Sequence, residues 1–514
     1  MSDRSTYYIT TPIYYVNDVP HIGHAYTTLA CDVLARFMRL DGRRVKFLTG
    51  TDEHGQKVEK SAQAAGLDPK AFTDKVSRNF RDLAAAMNFS NDDFIRTTEP
   101  RHIRACQAIW RALRERGQIY LGKYAGWYAV RDEAYYGEDE LKDGPSGEKI
   151  APSGAECEWV EEPSYFFKLS EWQRPLLRFY EDNPGSVAPA TRRNEVISFV
   201  KAGLSDLSVS RTTFKWGVPV PDDPAHIMYV WLDALTNYIT AAGYPDTDSV
   251  EYQTFWPADV HMVGKDILRF HAVYWPAFLM AAGLAPGRRV YAHGWWTSEG
   301  QKISKSLGNV IEPLQLIERY GLDQVRYFLL REVPFGQDGD FSHRAIVGRI
   351  NADLANGIGN MAQRTLVMIN KNCDGKVPRP GTLAEADNGL LQGAGELTDR
   401  VRGEIGQQAF HRALEAIWQV VGQGDRYLND QAPWSLRKTD PERMATVLYV
   451  AAEVIRRIAI LIQPFMPGSA SRLLDQLGTP ADRRAIADLV PDRSLVPGSD
   501  LPKPEGVFPR FIET

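Results

Sequence analysis

The stretch "PHIGHAYTTL", residues 20–29, decides the fold. It follows "TYYITTPI" (6–13), whose β-branched and aromatic residues predict a strand, and it runs into "HAYTTLACDVLARFMR" (24–39), whose apolar residues recur at helical spacing. The N-terminus of a helix attracts phosphate, and Gly23 lets a ligand approach the backbone without a Cβ clash. The stretch alone is compatible with a nucleotide site and with an ordinary helix start that carries two polar rings.

Strands and helices alternate on both sides of this stretch. "RRVKFLTGTDEHG" (43–55) predicts a second strand, and "DPKAFTDKVSRNFRDLAAAM" (68–87) and "RHIRACQAIWRALRERG" (101–117) predict helices. The pattern resumes in "AHIMYVWLDALTNYITAAG" (225–243) and "DVHMVGKDILRFHAVYWPAFLMAAG" (259–283). We therefore expect an α/β fold: a split Rossmann-like parallel sheet with a β-rich insertion, followed by an all-α C-terminal bundle.

Changes in composition predict where the segments meet. "IYLGKYAGWYAV" (119–130) indicates β structure and begins a region rich in Gly, Pro and charge, whereas the sequence after Phe341 indicates amphipathic helices. The predicted segments are the first half of the Rossmann-like domain (1–116), the insertion (117–221), the second half (222–298), a lysine-containing loop with the region after it (299–355), and the helical domain (356–514).

Composition and charge exclude several classes of protein. A net charge of −5 argues against a uniformly basic coat for nucleic acid, although a local basic patch remains compatible with it. The N-terminus has no apolar signal core, and the most apolar stretch (447–466) is interrupted by Glu453, Arg456 and Arg457, which indicates a core helix. We therefore expect a cytoplasmic protein.

The cysteines indicate neither a disulfide framework nor a thiolate zinc site. The four are Cys31, Cys106, Cys157 and Cys373, and no two of them form a C-x-x-C pair. Such usage fits a reducing compartment.

A second motif, "SEGQKISKSLGN" (298–309), places Lys302 and Lys305 in a loop flanked by glycines. Alone it is compatible with a solvated basic turn or with a loop that closes over polyphosphate. Its occurrence together with His21 and His24, whose imidazoles can donate to phosphate oxygens as charge develops, favours a nucleotide site.

With these motifs the chain resembles the class I aminoacyl-tRNA synthetases over nearly its whole length, and among them the methionine-specific members. The blocks that carry this resemblance are "TTPIYYVNDVPHIGHAYTT", "FLTGTDEHG", "YVWLDALTNYI", "HMVGKDILRFHAVYWPAFL" and "KISKSLGN". The resemblance implies that ATP, accompanied by Mg²⁺, activates L-methionine to an adenylate with release of pyrophosphate. The adenylate then esterifies the 2′-OH of the terminal adenosine of initiator and elongator tRNA(Met).

The resemblance also implies roles for individual residues. The catalytic residues would be His21 and His24, which hold the phosphates, and Lys302 and Lys305, which neutralise pyrophosphate. Further ATP-binding residues would be Gly23, Ser304, Gly264 and Asp266 on the ribose side, and His293 and Gly294 on the adenine side. Asp266 is also compatible with a helix cap.

The amino-acid pocket implied by the resemblance is an apolar box. Asp52 would bind the α-ammonium, and Tyr15 or His271 would donate a weak hydrogen bond to the sulfur. The pocket residues would be Ile13, Tyr15, Trp231, Ala234, Tyr238, Ile267 and His271, although each aromatic by itself is equally compatible with a core position. Arg211 would pair with Asp52 or with the substrate carboxylate, or lie on the surface.

The rest of the resemblance concerns metal, editing and tRNA. Many members carry zinc-binding cysteine pairs in the insertion, whereas Ala129 and Asp132 stand at the corresponding places here, so we expect no structural zinc. A roughly hundred-residue insertion is too short for a separate editing domain. Without an appended tRNA-binding domain, a monomer is expected. The candidate anticodon residues are Asn360, Arg364 and Trp434, the last also compatible with the bundle core.

Two alternatives remain at this point. One is another enzyme with the same signature motifs, such as a cysteinyl-like synthetase or a small nucleotidyltransferase. The other is a catalytically inert tRNA-binding paralogue, against which the retained histidines, lysines and Asp52 argue.

Overall fold

The parallel sheet predicted from the alternating pattern is present. In a computed structural model, which describes residues 5–16, 19–302 and 310–513, seven strands form one sheet. The ladders whose partners are resolved are parallel. From one edge the order is Val187–Ala188, Val290–His293, Val260–Gly264, Thr6–Thr10 and Arg44–Asp52, with Tyr14–Tyr15 and Asp93–Arg96 both paired to Arg44–Asp52. The predicted α/β class is confirmed.

The described residues divide into two compact units. The sheet unit comprises residues 6–20 and 46–293, and the helical unit comprises 1–5, 21–45 and 294–514. Each unit is described by itself below.

The helices of the sheet unit begin at residues suited to helix starts. Asp68 accepts the Ala71 N–H, and Pro69 and Pro100 occupy first helical positions, where a missing N–H costs nothing. These helices are Gln56–Ala64, Pro69–Ala86, Pro100–Glu115, Gln173–Asp182, Ala190–Ala202, Val230–Ala241, Val250–Phe255 and Trp275–Ala281, the last preceded by a 3-10 turn Lys265–Ile267 and a π-helical turn Phe270–Tyr274.

The predicted β-rich insertion is an antiparallel ribbon. Ile119–Ala129 pairs with Glu156–Phe167, whose residues largely alternate between exposed and buried. The smaller strands around it are Ala134–Tyr136, Lys142–Asp143, Lys149–Ile150, Leu207–Ser208, Ser210–Arg211, Pro219–Val220 and Asp223–Met228. The range predicted for the insertion also contains Val187–Ala188, an edge strand of the main sheet, because a two-residue strand carries no periodicity that sequence reasoning can detect.

The helical unit contains the predicted bundle. Two of its long helices, Glu385–Gly406 and Phe410–Gln431, follow each other closely along the chain. They are separate because the chain turns at Gln408, which has a φ of +56°. The helices of this unit are Ile22–Leu40, Pro313–Tyr320, Leu322–Arg331, His343–Arg349, the π-helical Ile350–Gly359, Asn360–Asn372, Glu385–Gly406, Phe410–Gln431, Pro433–Thr439, Pro441–Ile462 and Pro467–Gln476. A small sheet joins Trp296–Ser298 with Gln301–Lys302 and Gly339–Phe341.

Pro441–Ile462 is buried on nearly all sides, as a central core helix should be. Its buried Glu453 pairs with Arg456 and Arg457 at 2.8 and 2.9 Å, so the charges seen in the sequence neutralise one another inside the bundle. Among the described residues, no helix combines the length and the apolar character that crossing a membrane requires.

Candidate active site

Several candidate residues terminate neighbouring strands of the sheet unit. Asp52 ends its strand opposite Tyr15, and Gly264 ends its strand opposite His293. Because the carboxyl ends of parallel strands meet at one edge of a sheet, the register places these residues along that edge. The edge is where ligands bind in folds of this kind, and it joins candidate positions for the ammonium, the ribose and the adenine.

In the helical unit, His21 and His24 form a reciprocal cap on the helix Ile22–Leu40. The Gly23 N–H donates to His21 Nδ1 (3.1 Å), and the His21 N–H donates to His24 Nδ1 (3.1 Å). Since both Nδ1 atoms accept, each neutral ring carries its proton on Nε2. The ring centroids are 3.9 Å apart. Burial, and secondarily the neighbouring His21, hold the pKa of His24 well below its usual range, so this ring is a neutral donor at pH 7.

Two candidate glycines lie where a side chain would collide with its surroundings. A Cβ on Gly23 would lie 2.9 Å from His21 Cε1, and a Cβ on Gly294 would lie 2.3 Å from the Gln337 carbonyl carbon. Gly294 therefore permits a close approach of two backbone segments. The second motif is described only at its start: Lys302 pairs with Thr297 in a hairpin, whereas Ser304 and Lys305 lie outside the described residues.

Asp52 is a buried carboxylate with one unused oxygen. The His54 backbone N–H donates to its carboxylate, whereas Oδ1 is buried without a hydrogen-bond partner among the described residues. Burial, and then the charges of Asp233 and Glu133, raise the pKa of Asp52 well above its usual value. A cation that reached Oδ1 would satisfy both the missing hydrogen bond and the charge.

The predicted pocket residues are buried in the sheet unit or pack against its main hydrophobic core. Trp231 stacks on Phe270 with ring centroids 3.7 Å apart and planes 5° from parallel. Phe270 was not predicted from the sequence, although it directly precedes His271 in the matching block. Of the predicted residues, Ala234, Tyr238 and His271 are buried, while Ile13, Tyr15, Trp231 and Ile267 are partly buried against the core.

The hydrogen bonds of His271 define its tautomer. Nδ1 lies 2.9 Å from the Ile267 carbonyl oxygen, which can only accept, so Nδ1 carries the proton. Nε2 then accepts from the Tyr238 hydroxyl at 2.7 Å. Burial lowers the pKa of His271 to about 4, so the ring is neutral at pH 7. In this arrangement both ring nitrogens are engaged within the protein.

Glu133 is a functional candidate that the sequence did not reveal. It comes from the insertion, has a φ of +48° and is buried. Its Oε1 lies 2.5 Å from the Tyr15 hydroxyl, which also lies 2.9 Å from the His54 carbonyl oxygen. Its own carbonyl accepts from the Tyr229 hydroxyl (2.8 Å). A buried acid in a polar loop gives no local signal, so only the fold identifies it.

Two of the three interpretations of Arg211 are wrong. The side chain is neither on the surface nor paired with Asp52: it is 1% exposed and forms an ion pair with Glu162. Its pairing with the substrate carboxylate stays a prediction. Its guanidinium also lies over the Tyr128 ring, 4.0 Å from the centroid. Arg211 therefore joins the ribbon of the insertion to the short strand Ser210–Arg211.

The candidate anticodon residues lie together in the helical unit. Arg364 lies over the Trp434 ring, 4.9 Å from its centroid, and its Nη2 donates to Asn429 Oδ1 at 2.8 Å. Trp434 is 43% exposed, so it is not a bundle-core residue. Asn360 is exposed one turn before Arg364 on the same helix. An exposed indole held by a guanidinium suits the stacking of an unpaired base.

The chain matches known proteins over nearly its whole length. A family model described as "tRNA synthetases class I (M)" matches residues 7–366, and one described as "Anticodon binding domain of methionyl tRNA ligase" matches residues 377–513. The methionine–tRNA ligase of Mesorhizobium japonicum is 59% identical over 99% of this chain and 98% of its own length. The enzyme of Brucella suis is also 59% identical, over 99% of both chains.

A solved structure matches over the same extent. The methionyl-tRNA synthetase of Mycobacterium tuberculosis in complex with methionyl-adenylate is 54% identical and superposes with a TM-score of 0.96. The match covers 98% of this chain and all of that one.

Proposed function

The chain belongs to the methionine–tRNA ligases of the class I tRNA synthetases, and from that membership we propose which of its residues perform each step. It is an ATP-dependent ligase that joins methionine to tRNA. The relatives set aside the cysteinyl-like alternative and the small nucleotidyltransferases, because full-length matches at 55–59% identity are methionine–tRNA ligases.

In the activation step, a methionine carboxylate oxygen attacks the α-phosphorus of ATP. The bond from that phosphorus to the bridging oxygen breaks, and pyrophosphate leaves with the bond's electrons. The Nε2–H groups of His21 and His24 donate to phosphate oxygens as negative charge builds up on them. Lys302 and Lys305 neutralise the departing pyrophosphate, and Mg²⁺ enters with ATP as its counterion.

We assign ATP contacts in each unit separately, at the carboxyl edge of the sheet in one and at the start of Ile22–Leu40 in the other. Gly264 and Asp266 contact the ribose side, and His293 and Gly294 contact the adenine side. Gly23 and Ser304 complete the phosphate contacts. The pairing of Gly264 with His293 in adjacent strands supports this assignment.

Methionine binds with its ammonium on Asp52 and its side chain among the apolar residues. The observation that carries this proposal is the buried Asp52 Oδ1, which has no hydrogen-bond partner among the described residues and lies on the strand end paired with Tyr15. The ammonium supplies the cation that the carboxylate lacks. The box consists of Ile13, Tyr15, Trp231, Ala234, Tyr238, Ile267 and His271.

ATP–pyrophosphate exchange, measured with each standard amino acid and without tRNA, tests the activation step. We expect exchange with methionine alone. His24→Ala should lower the rate about 10²- to 10³-fold, as the loss of one transition-state donor does elsewhere. Partly buried His343, another histidine of the helical unit to which no role is assigned, provides the control His343→Ala. A full exchange rate in His24→Ala would overturn the role given to this histidine.

In the transfer step, the 2′-OH of the terminal adenosine attacks the adenylate, while the helical domain binds the anticodon of initiator and elongator tRNA(Met). Asn360, Arg364 and Trp434 make these contacts, with Trp434 as the stacking platform. The exposed indole under Arg364 supports this assignment.

Substitution of Trp434 separates the two steps. Trp434→Ala should raise the KM for tRNA about 5- to 100-fold, the effect of one lost base stack, and leave methionine-dependent exchange unchanged. The control is Trp159→Ala, an exposed tryptophan of the insertion. An unchanged KM for tRNA would remove Trp434 from the anticodon site.

We further propose that the enzyme is a cytoplasmic monomer whose insertion holds no zinc. The segment roles follow the predicted boundaries: 1–116 and 222–298 form the catalytic halves, 117–221 the connective insertion, 299–355 the KISKS loop and stem-contact region, and 356–514 the anticodon-binding domain.

A further inference from the structure

His54 joins three parts of the methionine site. Its ring Nδ1 lies 2.7 Å from Asp233 Oδ2, its backbone N–H donates to the Asp52 carboxylate, and its carbonyl oxygen lies 2.9 Å from the Tyr15 hydroxyl. The residue is 4% exposed, and its ring meets Trp216 edge-on at 5.5 Å. Contacts thus hold both the ring and the carbonyl of His54, two residues after Asp52 in the same segment.

Asp233 anchors that ring. It is fully buried, and its second oxygen, Oδ1, lies 2.7 Å from His102 Nε2. A carboxylate can only accept, so both imidazoles donate to it. Burial alone would raise the pKa of Asp233, but the charge and hydrogen bonds of His54 and His102 outweigh burial and hold this pKa below its usual range. Asp233 thus remains an ionised acceptor with both oxygens engaged.

Asp233 also belongs to the helix that builds the apolar box. The helix Val230–Ala241 carries Trp231, Ala234 and Tyr238, so the hydrogen bond between Asp233 and the His54 ring ties that helix to the loop that follows Asp52. On the proposed assignment, the loop after Asp52 lies at the ammonium and the helix Val230–Ala241 lies at the thioether. The Asp233 carboxylate connects these two elements.

Asp233 lies in a cluster with His102 and Cys106 whose geometry suits hydrogen bonds rather than a metal ion. His102, Cys106 and Asp233 offer ligand atoms within 4.8 Å of one another. However, His102 Nε2 and Asp233 Oδ1 are 2.7 Å apart, closer than the roughly 3.3 Å that two ligands about 2.0 Å from a tetrahedral zinc would keep. Burial also raises the pKa of the Cys106 thiol well above its usual value, which disfavours the thiolate that a metal needs.

We propose that Asp233, acting through His54, is a positioning residue that holds the ammonium-binding carboxylate of Asp52 at a defined distance from the thioether pocket. The proposal rests on the assignment of Asp52 to the ammonium. It gives Asp233 no contact with the substrate: the residue acts by holding the His54 ring, and with it the backbone segment 52–54 that carries Asp52.

Two methionine analogues, used as competitive inhibitors of methionine-dependent exchange, test this coupling. Methioninol keeps the ammonium and the thioether, whereas 4-(methylthio)butanoate keeps the thioether and lacks the ammonium. Asp233→Asn should weaken the inhibition by methioninol about 10-fold or more, because a charge-assisted hydrogen bond to the ammonium is misplaced. The inhibition by 4-(methylthio)butanoate should change less than about 2-fold. The control Asp248→Asn, at an exposed position of the same unit, should change neither.

A second pair of variants keeps the test decisive if Asp233→Asn does not fold. His54→Asn retains an amide nitrogen near the place of Nδ1 and should bind both analogues as the parent enzyme does. His54→Ala should reproduce the selective loss of methioninol. A merely structural role would weaken both analogues alike.

The outcomes separate the two proposals. Asp52→Asn should also weaken methioninol selectively, and adding Asp233→Asn to it should cause no further loss, because both substitutions remove the same contact. If Asp52→Asn affects both analogues equally, the ammonium assignment is wrong. If Asp52→Asn is selective but Asp233→Asn and His54→Ala are not, the coupling is wrong.

Discussion

At the scale of single residues, Glu133 shows how the insertion reaches the methionine site. Its carboxylate lies against the Tyr15 hydroxyl and 3.5 Å from the Lys57 backbone nitrogen. Gly55 permits this approach, because a Cβ there would lie 2.5 Å from Glu133 Oε1. Burial raises the pKa of Glu133 to about 7, and the hydrogen bonds from Tyr15 and Lys57 offset burial only in part.

This raised pKa predicts a dependence of stability on pH. Between the pKa of an unfolded glutamate, about 4.3, and the folded value, the folded chain binds more protons, so the free energy of unfolding falls as pH rises through that window. Glu133→Gln removes this dependence. The difference in unfolding free energy between parent and variant should therefore change by about 2–3 kcal/mol from pH 5 to pH 8. Urea unfolding at several pH values measures it.

Exposed Glu138, in the same part of the insertion, provides the matched control. Glu138→Gln should leave the pH dependence of the parent protein unchanged. If the unfolding free energies of the parent and of Glu133→Gln changed with pH in parallel between pH 5 and pH 8, Glu133 would not titrate in that range.

At the scale of elements, Arg326 joins three parts of the helical unit. Its Nη2 donates to Asp32 on the helix Ile22–Leu40 at 2.7 Å and to the Pro464 carbonyl at 2.8 Å, and its Nε donates to the Phe465 carbonyl at 2.9 Å. Arg326 and Asp32 are fully buried. The helix Ile22–Leu40, which begins beside the proposed phosphate-binding histidines, is thereby bound to the turn after the central bundle helix.

Removing this arginine should destabilise the protein more than removing a partly exposed one. Arg326→Met leaves the buried Asp32 with less compensating charge, so we expect a loss of about 3–5 kcal/mol in unfolding free energy. Arg36 also pairs with Asp32, and its side chain is 23% exposed. Arg36→Met should therefore lower the unfolding free energy by less than about 1 kcal/mol.

Urea denaturation of both variants makes the comparison. The double variant Asp32→Asn/Arg326→Met should recover part of the loss, since it also removes the buried carboxylate charge that Arg326 compensates. Equal losses for Arg326→Met and Arg36→Met would contradict a role for the buried ion pair.

At the scale of the whole molecule, the insertion is held together without thiolate pairs. Cys157 packs with Ala129, Ala151 and Ala155, and burial, then the nearby Asp132, raise the pKa of its thiol. The Tyr136 hydroxyl donates to Asp132 at 3.0 Å. Packing and a hydrogen bond therefore support this part of the insertion, for which we predict no zinc.

Elemental analysis of the purified protein should find less than about 0.1 zinc per chain, because a structural zinc site needs four ligands. Treatment with a chelator, followed by resupply of Mg²⁺ with ATP, should leave methionine-dependent exchange unchanged. One zinc per chain would contradict the prediction, and its loss in Cys157→Ser or in Cys106→Ser would then locate it.

Local sequence determined much of this protein. The alternation of apolar runs predicted the parallel sheet, and the helical periodicity predicted the bundle, because both signals lie within about twenty residues. The motif His21–His24 located the helix start, because a strand-to-helix transition shows in the local period. Asp52, Gly264 and His293 were assigned through the resemblance, and it is the strand register of the structure that places them along one edge.

Tertiary structure decided the contacts that orient the site. His54 and Asp233 are 179 residues apart, and Tyr15 and Glu133 are 118 apart, so no local pattern connects them. The burial of Arg211 against Glu162 was likewise invisible in the sequence, where an arginine in a polar region indicates a surface position. Such pairs depend on strand register and on which helix face meets the sheet, and these arise only when the whole core packs.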